Sequence, residues 1–228
     1  MNLLTPSMAA ATESVGFIRE IECGGSVLRL HQDLVGDVGC VVWDAALVLG
    51  RFLENETFFK SGYWSCGKRV IELGSGTGAV GLMAALLGAD ATITDLPKCL
   101  PLMEKNIEAN KDILTAANKA LKIKAKVLIW GQDVSVFKPC PDVILMADLI
   151  YYKESLDDLV TTVTDLSEDD TVILMSYEIR TTGDKEQTYK LFFDKMESHF
   201  NSYTVEFDDL DETCRSEDIK IVFFKLKK

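Results

Sequence analysis

The sequence predicts an α/β fold built around one mostly parallel, doubly wound sheet. From residue 70 onward, segments with strand character alternate with segments of helical periodicity. Runs such as VILMAD and TVILMSY are apolar without alternation, as expected of parallel strands that helices cover on both faces. A glycine-rich turn joins the first of these strands to the first of these helices. Together these three observations indicate a doubly wound sheet with no linker or repeat dividing it.

A predicted hairpin and a predicted helix precede the alternating region. GFIREIE and SVLRLHQ alternate in polarity and are joined across Gly24-Gly25, a pair suited to the positive φ angles of a two-residue hairpin turn. VVWDAALVLGRFLE carries apolar residues at three- and four-residue spacing, which indicates a helix. Residues 1–14 lack periodicity and are expected to form a flexible tail. We therefore expect a single domain over residues 15–228, which includes the hairpin and the first helix within residues 15–55.

The alternating region contains further predicted strands and helices in sequence order. The predicted strands are Val70–Leu73, Ala91–Asp95, Ala125–Trp130, Val143–Asp148, Thr171–Tyr177, Tyr203–Phe207 and Ile219–Leu226. The predicted helices are Ala79–Leu87, Leu102–Lys111, Glu154–Leu166 and Lys185–His199. Most of the predicted strands are therefore separated by a predicted helix.

Charge and hydropathy restrict the classes of partner. The chain has 228 residues, with 24 Lys and Arg against 36 Asp and Glu, and a formal net charge of −12. A protein that grips a phosphate backbone needs a basic surface, so a nucleic acid is disfavoured and a basic or lysine-bearing protein surface is favoured. The longest apolar run, residues 79–89, is about half of the ~20 residues that a membrane span needs. We expect a soluble cytoplasmic or nuclear protein that acts as a monomer.

The cysteines and histidines show no metal-ligand pattern. The six cysteines include no C-x-x-C pair, and the two histidines, His31 and His199, lie far apart. Scattered cysteines fit a reducing compartment. No basic residue precedes Arg19, so neither a secretory signal nor an Arg-rich transit peptide is indicated. We therefore expect no metal cofactor.

The glycine-rich segment VIELGSGTGAVG can be interpreted in two frames. Residues 76–81, GTGAVG, match the G-x-G-x-x-G of dinucleotide-binding enzymes. Residues 72–78, ELGSGTG, match the E-x-G-x-G-x-G of enzymes that bind S-adenosylmethionine. In both frames the glycines allow the backbone to approach a ligand, and the following helix offers unpaired N–H groups. The motif therefore predicts a nucleoside site without identifying the ligand.

Three features favour S-adenosylmethionine. Glu72 lies inside the predicted strand, where a buried carboxylate is unfavourable unless it meets backbone donors or a cationic ligand group. About 70 residues precede the motif, whereas a dinucleotide fingerprint usually opens its domain. Neither the reductase motif Y-x-x-x-K nor the phosphate-binding G-x-x-x-x-G-K-[ST] loop is present.

Asp95, at the end of the next predicted strand, can accept both ribose hydroxyls of either cofactor. A nicotinamide-dependent reductase remains the alternative.

Five motifs, in order along the chain, resemble the seven-β-strand lysine methyltransferases. They are CVVWDAALVL, VIELGSGTGAVGLMAA, TITDL, VLIWG and ILMADLIYY. Within that family the chain resembles the D-x-x-Y group, and within the group the enzymes that act on valosin-containing protein. The likeness runs from about residue 17 to the C-terminus and includes YEIRT and RSEDIKI. It does not extend to the N-terminal tail or to residues 58–69.

The resemblance implies a Rossmann-like, seven-stranded methyltransferase fold and a cytoplasmic enzyme that uses S-adenosylmethionine. It implies transfer of up to three methyl groups to a lysine of a AAA-type ATPase such as valosin-containing protein. Asp148 and Tyr151, in DLIY, are implied to form the D-x-x-Y element of the active site. The residues implied to contact the cofactor are Trp43, Gly74, Ser75, Gly76, Asp95, Trp130 and Ala147; the glycine motif adds Glu72 and Gly78.

Methyl transfer to an amine requires a neutral lysine nitrogen, although free lysine has a pKa of about 10.4. We expect Asp148 to orient that amine and to stabilise the developing positive charge, because a free carboxylate, with a pKa near 3.9, is a poor base. Tyr151 would add a cation–π contact of about 0.5–2 kcal/mol. Taken alone, DLIYY is equally compatible with a strand end with aromatic packing, and Trp130 with a place in the core. A catalytically idle cofactor-binding scaffold is a further alternative.

Overall fold

Seven strands form one sheet at the centre of the protein. The computed structural model describes residues 16–33, 38–55, 58, 64, 66–118, 120 and 122–228, so the predicted tail at residues 1–14 lies outside the described residues. After an N-terminal hairpin of β1 (Gly16–Cys23) and β2 (Ser26–Asp33), the strands of the sheet are β3 (Arg69–Leu73), β4 (Asp90–Asp95), β5 (Ile123–Val127), β6 (Val143–Ala147), β7 (Val172–Glu178), β8 (Phe200–Thr204) and β9 (Ile219–Leu226).

The order of the strands is β5-β4-β3-β6-β7-β9-β8. The strands from β3 to β7 pair in parallel, and β9 runs antiparallel to both of its neighbours. The predicted Rossmann-like, mostly parallel fold with an N-terminal hairpin is therefore confirmed. Because the order reverses between β3 and β6, a crevice is expected at the carboxyl ends of these two strands.

Helices cover both faces of the sheet. They are α1 (Asp44–Leu53), α2 (Ala79–Leu86), α3 (Leu100–Ala109), α4 (Lys111–Asn118), α5 (Leu156–Asp165) and α6 (Lys185–His199). Alternate residues of β6 belong to different cores: Val143 and Leu145 pack with α1 and α2, whereas Ile144 and Met146 pack with α5 and α6. This arrangement explains the apolar strands without alternation. In the described part of the chain, no helix is long and apolar enough to cross a membrane.

Several element boundaries differ from the sequence prediction, and for two of them the physical reason is clear. The predicted strand at 203–207 begins instead at Phe200, because that fully buried ring follows α6 directly and pairs with Leu226. The predicted helix at 102–111 is α3, which ends at Ala109; a second helix that was not predicted, α4, follows the break at Asn110. There the backbone φ is −113°, and the side-chain amide donates to the carbonyl oxygens of Asn106 and Arg29. Asn favours such local side-chain bonds over a continued helix.

The predicted hairpin is present, with Gly24 and Gly25 both at positive φ. The predicted first helix begins later than expected, at Asp44, so Trp43 precedes α1 rather than lying on it. Trp43 has an extended backbone with φ of −83° and ψ of 153°, and its side chain is 42% exposed. Trp43 therefore lies directly before α1, where it lines the crevice at the edge of the sheet.

Two buried asparagines, Asn106 of α3 and Asn110 at the C-terminal cap of α3, attach the hairpin to the rest of the protein. The Asn106 amide accepts from the N–H of His31 at 2.7 Å and donates to its carbonyl oxygen at 3.1 Å. Asn110 makes the same pair of bonds with Arg29, at 2.7 and 2.9 Å. Asn106 also donates to the carbonyl oxygen of Thr77, in the glycine-rich loop, at 2.9 Å. The side chain of Asn106 therefore links the hairpin to that loop.

Replacement of Asn106 by Ala is expected to lower the free energy of unfolding by about 1–3 kcal/mol, because it leaves buried backbone groups of His31 and Thr77 without partners. Urea denaturation monitored by circular dichroism measures this change. The control Asn201→Ala, at an exposed position of β8, should change the stability by less than about 0.5 kcal/mol. Equal stability of the Asn106→Ala protein and the wild type would show that this link contributes little.

Candidate active site

A cavity of about 530 Å³ opens at the carboxyl edge of the sheet, beside the reversal of strand order between β3 and β6. Its volume is within the range typical of small-molecule sites. Nearly all of the sequence-predicted site residues line it: Trp43, Glu72, Gly74, Ser75, Gly76, Asp95, Trp130, Ala147, Asp148 and Tyr151. The fold thus brings together residues from four strands or their ends and from the segment before α1.

The glycine-rich loop after β3 leaves no room for side chains at its closest approaches. A β-carbon on Gly76, whose φ is +54°, would lie 2.7 Å from the carbonyl oxygen of Gly39. A β-carbon on Gly74, whose φ is +57°, would lie 2.5 Å from the side chain of Leu149. Such positions accept only glycine. The loop therefore forms a backbone cradle at the floor of the cavity.

Gly78 has a different position from the other predicted cofactor residues. Among the described residues that line the cavity, Gly78 is absent. It is the N-cap of α2, with a left-handed φ of 81°, and a β-carbon there would lie 2.7 Å from Ile93 in the core. Gly78 therefore starts the helix after the turn, and its contact with the cofactor stays a prediction.

Asp95 holds the cradle in place from the end of β4. One carboxylate oxygen accepts from the N–H of Gly76 at 2.7 Å, and the other accepts from the N–H of Leu96 at 2.7 Å. Each oxygen retains a further lone pair for a ligand hydroxyl. The carboxylate therefore has fixed orientation at the cavity wall, which suits the ribose recognition that the sequence predicts.

Glu72 is buried within β3 and points at the N-terminus of α2. One of its oxygens accepts from the N–H of Gly81 at 2.9 Å, so backbone donors solvate the carboxylate, as the sequence analysis required. Burial nevertheless raises the pKa of Glu72 to about 8, against the lowering effect of the bonds from Gly81, Ser75 and Val80. The group lies at the cavity but has only 3% of its surface exposed.

Apolar side chains near the end of β5 supply candidate faces for a flat ring. The strand ends at Val127, so Trp130 lies in the following turn. The prediction that Trp130 ends the strand was therefore wrong. Ile129 and Leu96 both line the cavity, and their side chains are 37% and 40% exposed. Large exposed apolar groups at a concave site favour a ligand with an apolar or aromatic face. Sequence analysis missed Leu96 and Ile129, although each directly follows or precedes a predicted site residue.

Asp148 directly follows β6 and has an unusual backbone conformation. Its φ is +57°, a region that L-residues rarely adopt, and its N–H donates to the carbonyl oxygen of Ser176 at 2.8 Å. The side chain is largely buried and forms a two-point ion pair with Arg180, with N–O distances of 3.0 and 2.6 Å. Backbone strain at a cavity residue is a common property of functional sites.

Sequence analysis assigned no role to Arg180, which lines the cavity, or to its partner Glu178. Arg180 contacts the carboxylate of Glu178 at 2.7 Å, and its guanidinium carbon lies 5.7 Å from the centre of the Trp43 ring. The signal was available in YEIRT, because these charged residues come at or just after the end of β7, the parallel neighbour of β6. Carboxyl ends of adjacent parallel strands meet at the same edge of the sheet.

Tyr151 lies three residues beyond Asp148 at the same cavity. Its ring packs edge-on against that of Tyr152, with 4.6 Å between ring centres. Its carbonyl oxygen accepts from the ammonium of Lys185, at the start of α6, at 2.6 Å. Lys185, Arg180 and Tyr152 also line the cavity. The D-x-x-Y element is therefore assembled next to a cation-rich wall from β7 and α6.

Residues 23–199 match the sequence profile of a family described as lysine methyltransferase. The chain belongs to this lysine methyltransferase family. Two relatives show the similarity over most of the chain. Protein N-lysine methyltransferase METTL21A of Danio rerio is 39% identical over 184 residues, which are 79% of this chain and 78% of the relative. EEF1A lysine methyltransferase 3 of Xenopus tropicalis is 34% identical over 207 residues, which are 90% of this chain and 82% of the relative.

Solved structures of methyltransferases share the fold of this lysine methyltransferase. The T. thermophilus 16S rRNA N2 G1207 methyltransferase RsmC, in complex with AdoMet and guanosine, has a TM-score of 0.64 at 17% identity, with 97% of this chain and 53% of that chain covered. The glycopeptide N-methyltransferase MtfA, complexed with S-adenosylmethionine, has a TM-score of 0.56 at 10% identity, with 76% and 87% covered. At these identities the likeness concerns the fold alone.

The family decides between the two frames of the glycine-rich segment. The protein is an S-adenosylmethionine-dependent protein-lysine methyltransferase, and the nicotinamide alternative is set aside. The site fits this cofactor, because a cradle closed to side chains, an oriented carboxylate and exposed apolar groups surround one cavity of suitable volume. When bound, the cofactor supplies the methyl group carried on its sulfonium.

The buried carboxyl of Glu72 predicts a pH dependence of stability. Its pKa of about 8 in the folded protein exceeds the ordinary value of 4.5, so between these pH values the folded state holds a proton that the unfolded state has lost. Stability from this group is therefore lost as the pH rises, by up to about 1.4 kcal/mol per pH unit. Urea denaturation without cofactor at pH 6, 7 and 8 should show the wild type losing stability relative to Glu72→Gln.

The exposed Glu108→Gln variant is the control and should follow the wild type across this pH range. Parallel pH dependence of the wild type and Glu72→Gln would contradict the raised pKa of Glu72.

Proposed function

We propose that this enzyme methylates a lysine of a AAA-type ATPase, valosin-containing protein, up to the trimethyl state, in the cytoplasm. The supporting observation is that Asp148 and Tyr151 share one cavity with the glycine cradle and Asp95. The resemblance of the D-x-x-Y motif to enzymes that act on valosin-containing protein supports the choice of substrate. The formal net charge of −12 favours a basic partner surface.

We assign the cofactor half of the cavity to the residues around the glycine cradle. Gly74, Ser75 and Gly76 let the backbone approach the ligand closely, and Asp95 accepts the ribose hydroxyls. Trp43, Trp130 and Ala147 line the remaining walls. Glu72 supports the cradle from behind by accepting from the N–H of Gly81.

We assign the substrate half to Asp148 and Tyr151. Asp148 accepts an N–H of the target amine and thereby aims the nitrogen lone pair at the methyl group. Tyr151 and Tyr152 provide aromatic surface that removes water from the lysine side chain and contacts methylated ammonium groups through cation–π attraction.

A second candidate substrate is elongation factor 1A. One observation favours it: a relative that is 34% identical over 90% of this chain is an EEF1A lysine methyltransferase. Both candidates are proteins, so the same assay compares them directly.

Asp148→Asn is expected to lower the rate constant of methyl transfer at least about 100-fold, because the amide has one acceptor oxygen instead of two and loses the ion pair that fixes the side chain towards the amine. S-adenosylmethionine affinity, measured by calorimetry, should change by less than about threefold. The control Asp170→Asn alters an exposed carboxylate two residues before β7, at the opposite edge of the sheet, and should retain full activity. Full activity of Asp148→Asn would remove the role given to this residue.

The substrate proposal is tested with labelled S-adenosylmethionine and purified valosin-containing protein or elongation factor 1A. We expect wild-type enzyme to label valosin-containing protein at one lysine, which mass spectrometry identifies, and Lys→Arg replacement of that residue should abolish labelling. Preferential labelling of elongation factor 1A would support the second candidate. Labelling of neither protein would contradict both.

A further inference from the structure

The carboxylate that is to orient the substrate amine is already paired within the protein. One Asp148 oxygen accepts from Arg180 at 3.0 Å and the other at 2.6 Å. The Asp148 side chain has 6% of its surface exposed and that of Arg180 has 26%. A lysine that reaches Asp148 therefore meets a carboxylate whose negative charge is balanced by the adjacent guanidinium of Arg180.

Contacts from three elements hold Arg180 in this position. Glu178, at the end of β7, accepts from it at 2.7 Å, and the Trp43 ring before α1 lies below its guanidinium. Tyr189 of α6 donates its hydroxyl to the carbonyl oxygen of Glu178 at 2.7 Å and so supports the same turn. The hydrogen bonds to Asp148 raise the pKa of Arg180 further above its already high value, so this side chain stays charged.

We propose that Arg180 is a positioning residue whose positive charge balances the carboxylate of Asp148. As a result, the target lysine binds as the neutral amine and not as an ammonium ion. The inference rests on the lysine methyltransferase activity of the protein and extends the role given to Asp148. It assigns a function to a residue of YEIRT that neither the glycine motif nor the D-x-x-Y motif includes.

The physical reason is the opposite effect of the two charges on the amine. A lone carboxylate raises the pKa of a nearby amine, because it stabilises the ammonium form, whereas a fixed guanidinium lowers it. Oδ1 of Asp148 accepts from Arg180 and, at 3.4 Å, from the N–H of Glu178. Oδ2 accepts from Arg180 and keeps a second lone pair, with which it can accept an N–H from the neutral amine. Arg180 therefore leaves the geometry of the orienting hydrogen bond in place while removing the preference for the unreactive ammonium.

The bonding changes of the transfer are compatible with this arrangement. The neutral amine forms the new N–C bond with its lone pair, and the electron pair of the broken C–S bond stays on sulfur. The resulting methylammonium must lose a proton to solvent before each further transfer. Arg180 favours that loss at every round, so its removal should reduce dimethyl and trimethyl products more strongly than monomethyl product.

Other charged or titratable groups also face this part of the cavity. The lining includes Glu72 of β3, Asp95 at the end of β4, Lys98 and Cys99 before α3, Tyr151 and Tyr152 after β6, Asp158 of α5 and Lys185 of α6. Two further groups support Arg180: Glu178 of β7 contacts it, and Tyr189 of α6 donates to the carbonyl oxygen of Glu178. Loss of Arg180 leaves Asp148 and Glu178 as unopposed carboxylates beside the amine, and Lys185 is directed to the carbonyl oxygen of Tyr151. The change expected from Arg180→Gln is therefore a higher pKa of the bound amine.

The pH dependence of kcat on valosin-containing protein tests the proposal, because kcat reports groups of the enzyme–substrate complex. For Arg180→Gln we expect the apparent pKa of kcat to rise by about 1 unit, with about a tenfold loss of kcat at pH 7.5 and recovery near pH 9.5. Arg180→Lys should shift the profile less, since it keeps the charge. Arg29→Gln, which removes an exposed hairpin arginine paired with Glu20, is the matched control and should follow the wild type.

A uniform loss of kcat at every pH, with no shift of the profile and no rescue by Arg180→Lys, would show that Arg180 is merely structural. Unchanged kcat of Arg180→Gln at pH 7.5 would overturn the proposal outright.

A binding measurement separates this inference from the choice of protein substrate. Nα-acetyl-lysine amide is titrated by NMR into enzyme loaded with S-adenosylhomocysteine. Wild type should bind the probe more tightly at pH 9.5 than at pH 7.5, and Arg180→Gln should bind it about tenfold more tightly than wild type at pH 7.5. Equal affinities of the two proteins at pH 7.5, including no binding by either, would contradict the role of Arg180, whereas failure to methylate valosin-containing protein would contradict only the proposed substrate.

Discussion

Parallel pairing of β3 with β4 on one side and with β6 on the other is the constraint on which the site depends. Because all three strands run in the same direction, their carboxyl ends meet at one edge, and the reversal of strand order leaves that edge open. The glycine cradle, Asp95 and Asp148 each follow or end one of these strands. Residues that are distant in sequence therefore converge without any of them needing to be placed by a long loop.

Hydrogen bonds and an ion pair within the protein already engage the acidic side chains at this edge of the sheet. Asp95 accepts from the N–H groups of Gly76 and Leu96, Glu72 accepts from Gly81, and Asp148 pairs with Arg180. Such bonds fix the carboxylates before any ligand arrives, so little ordering is required when the ligands bind. The arrangement also explains how several acidic groups coexist at one cavity: backbone donors offset Asp95, a guanidinium offsets Asp148, and burial raises the pKa of Glu72 to about 8.

Sequence patterns predicted the elements that depend on neighbouring residues in the chain. They did not predict features that depend on contacts between residues far apart in the chain. The apolar runs of β6 and β7 and the Gly24-Gly25 turn were sufficient for the sheet and the hairpin. The break at Asn110 was not foreseen, because it depends on bonds to Arg29, which is distant in the chain. The cavity residues carried by motifs were found, whereas Gly78 starts α2 and its contact with the cofactor stays a prediction. Arg180 was overlooked because its importance arises only when β7 places it against Asp148.

The bonds from Asn106 and Asn110 to β2 have a consequence for association between molecules. A two-stranded hairpin has an unpaired edge, and such an edge can recruit a strand from another chain. On β2, the N–H and carbonyl groups of Arg29 and His31 that face away from β1 are already occupied by side-chain amides. The side chains of Asn106 and Asn110 thus make the hydrogen bonds that a neighbouring strand would make, so these groups of β2 are not available for β-augmentation or fibril growth.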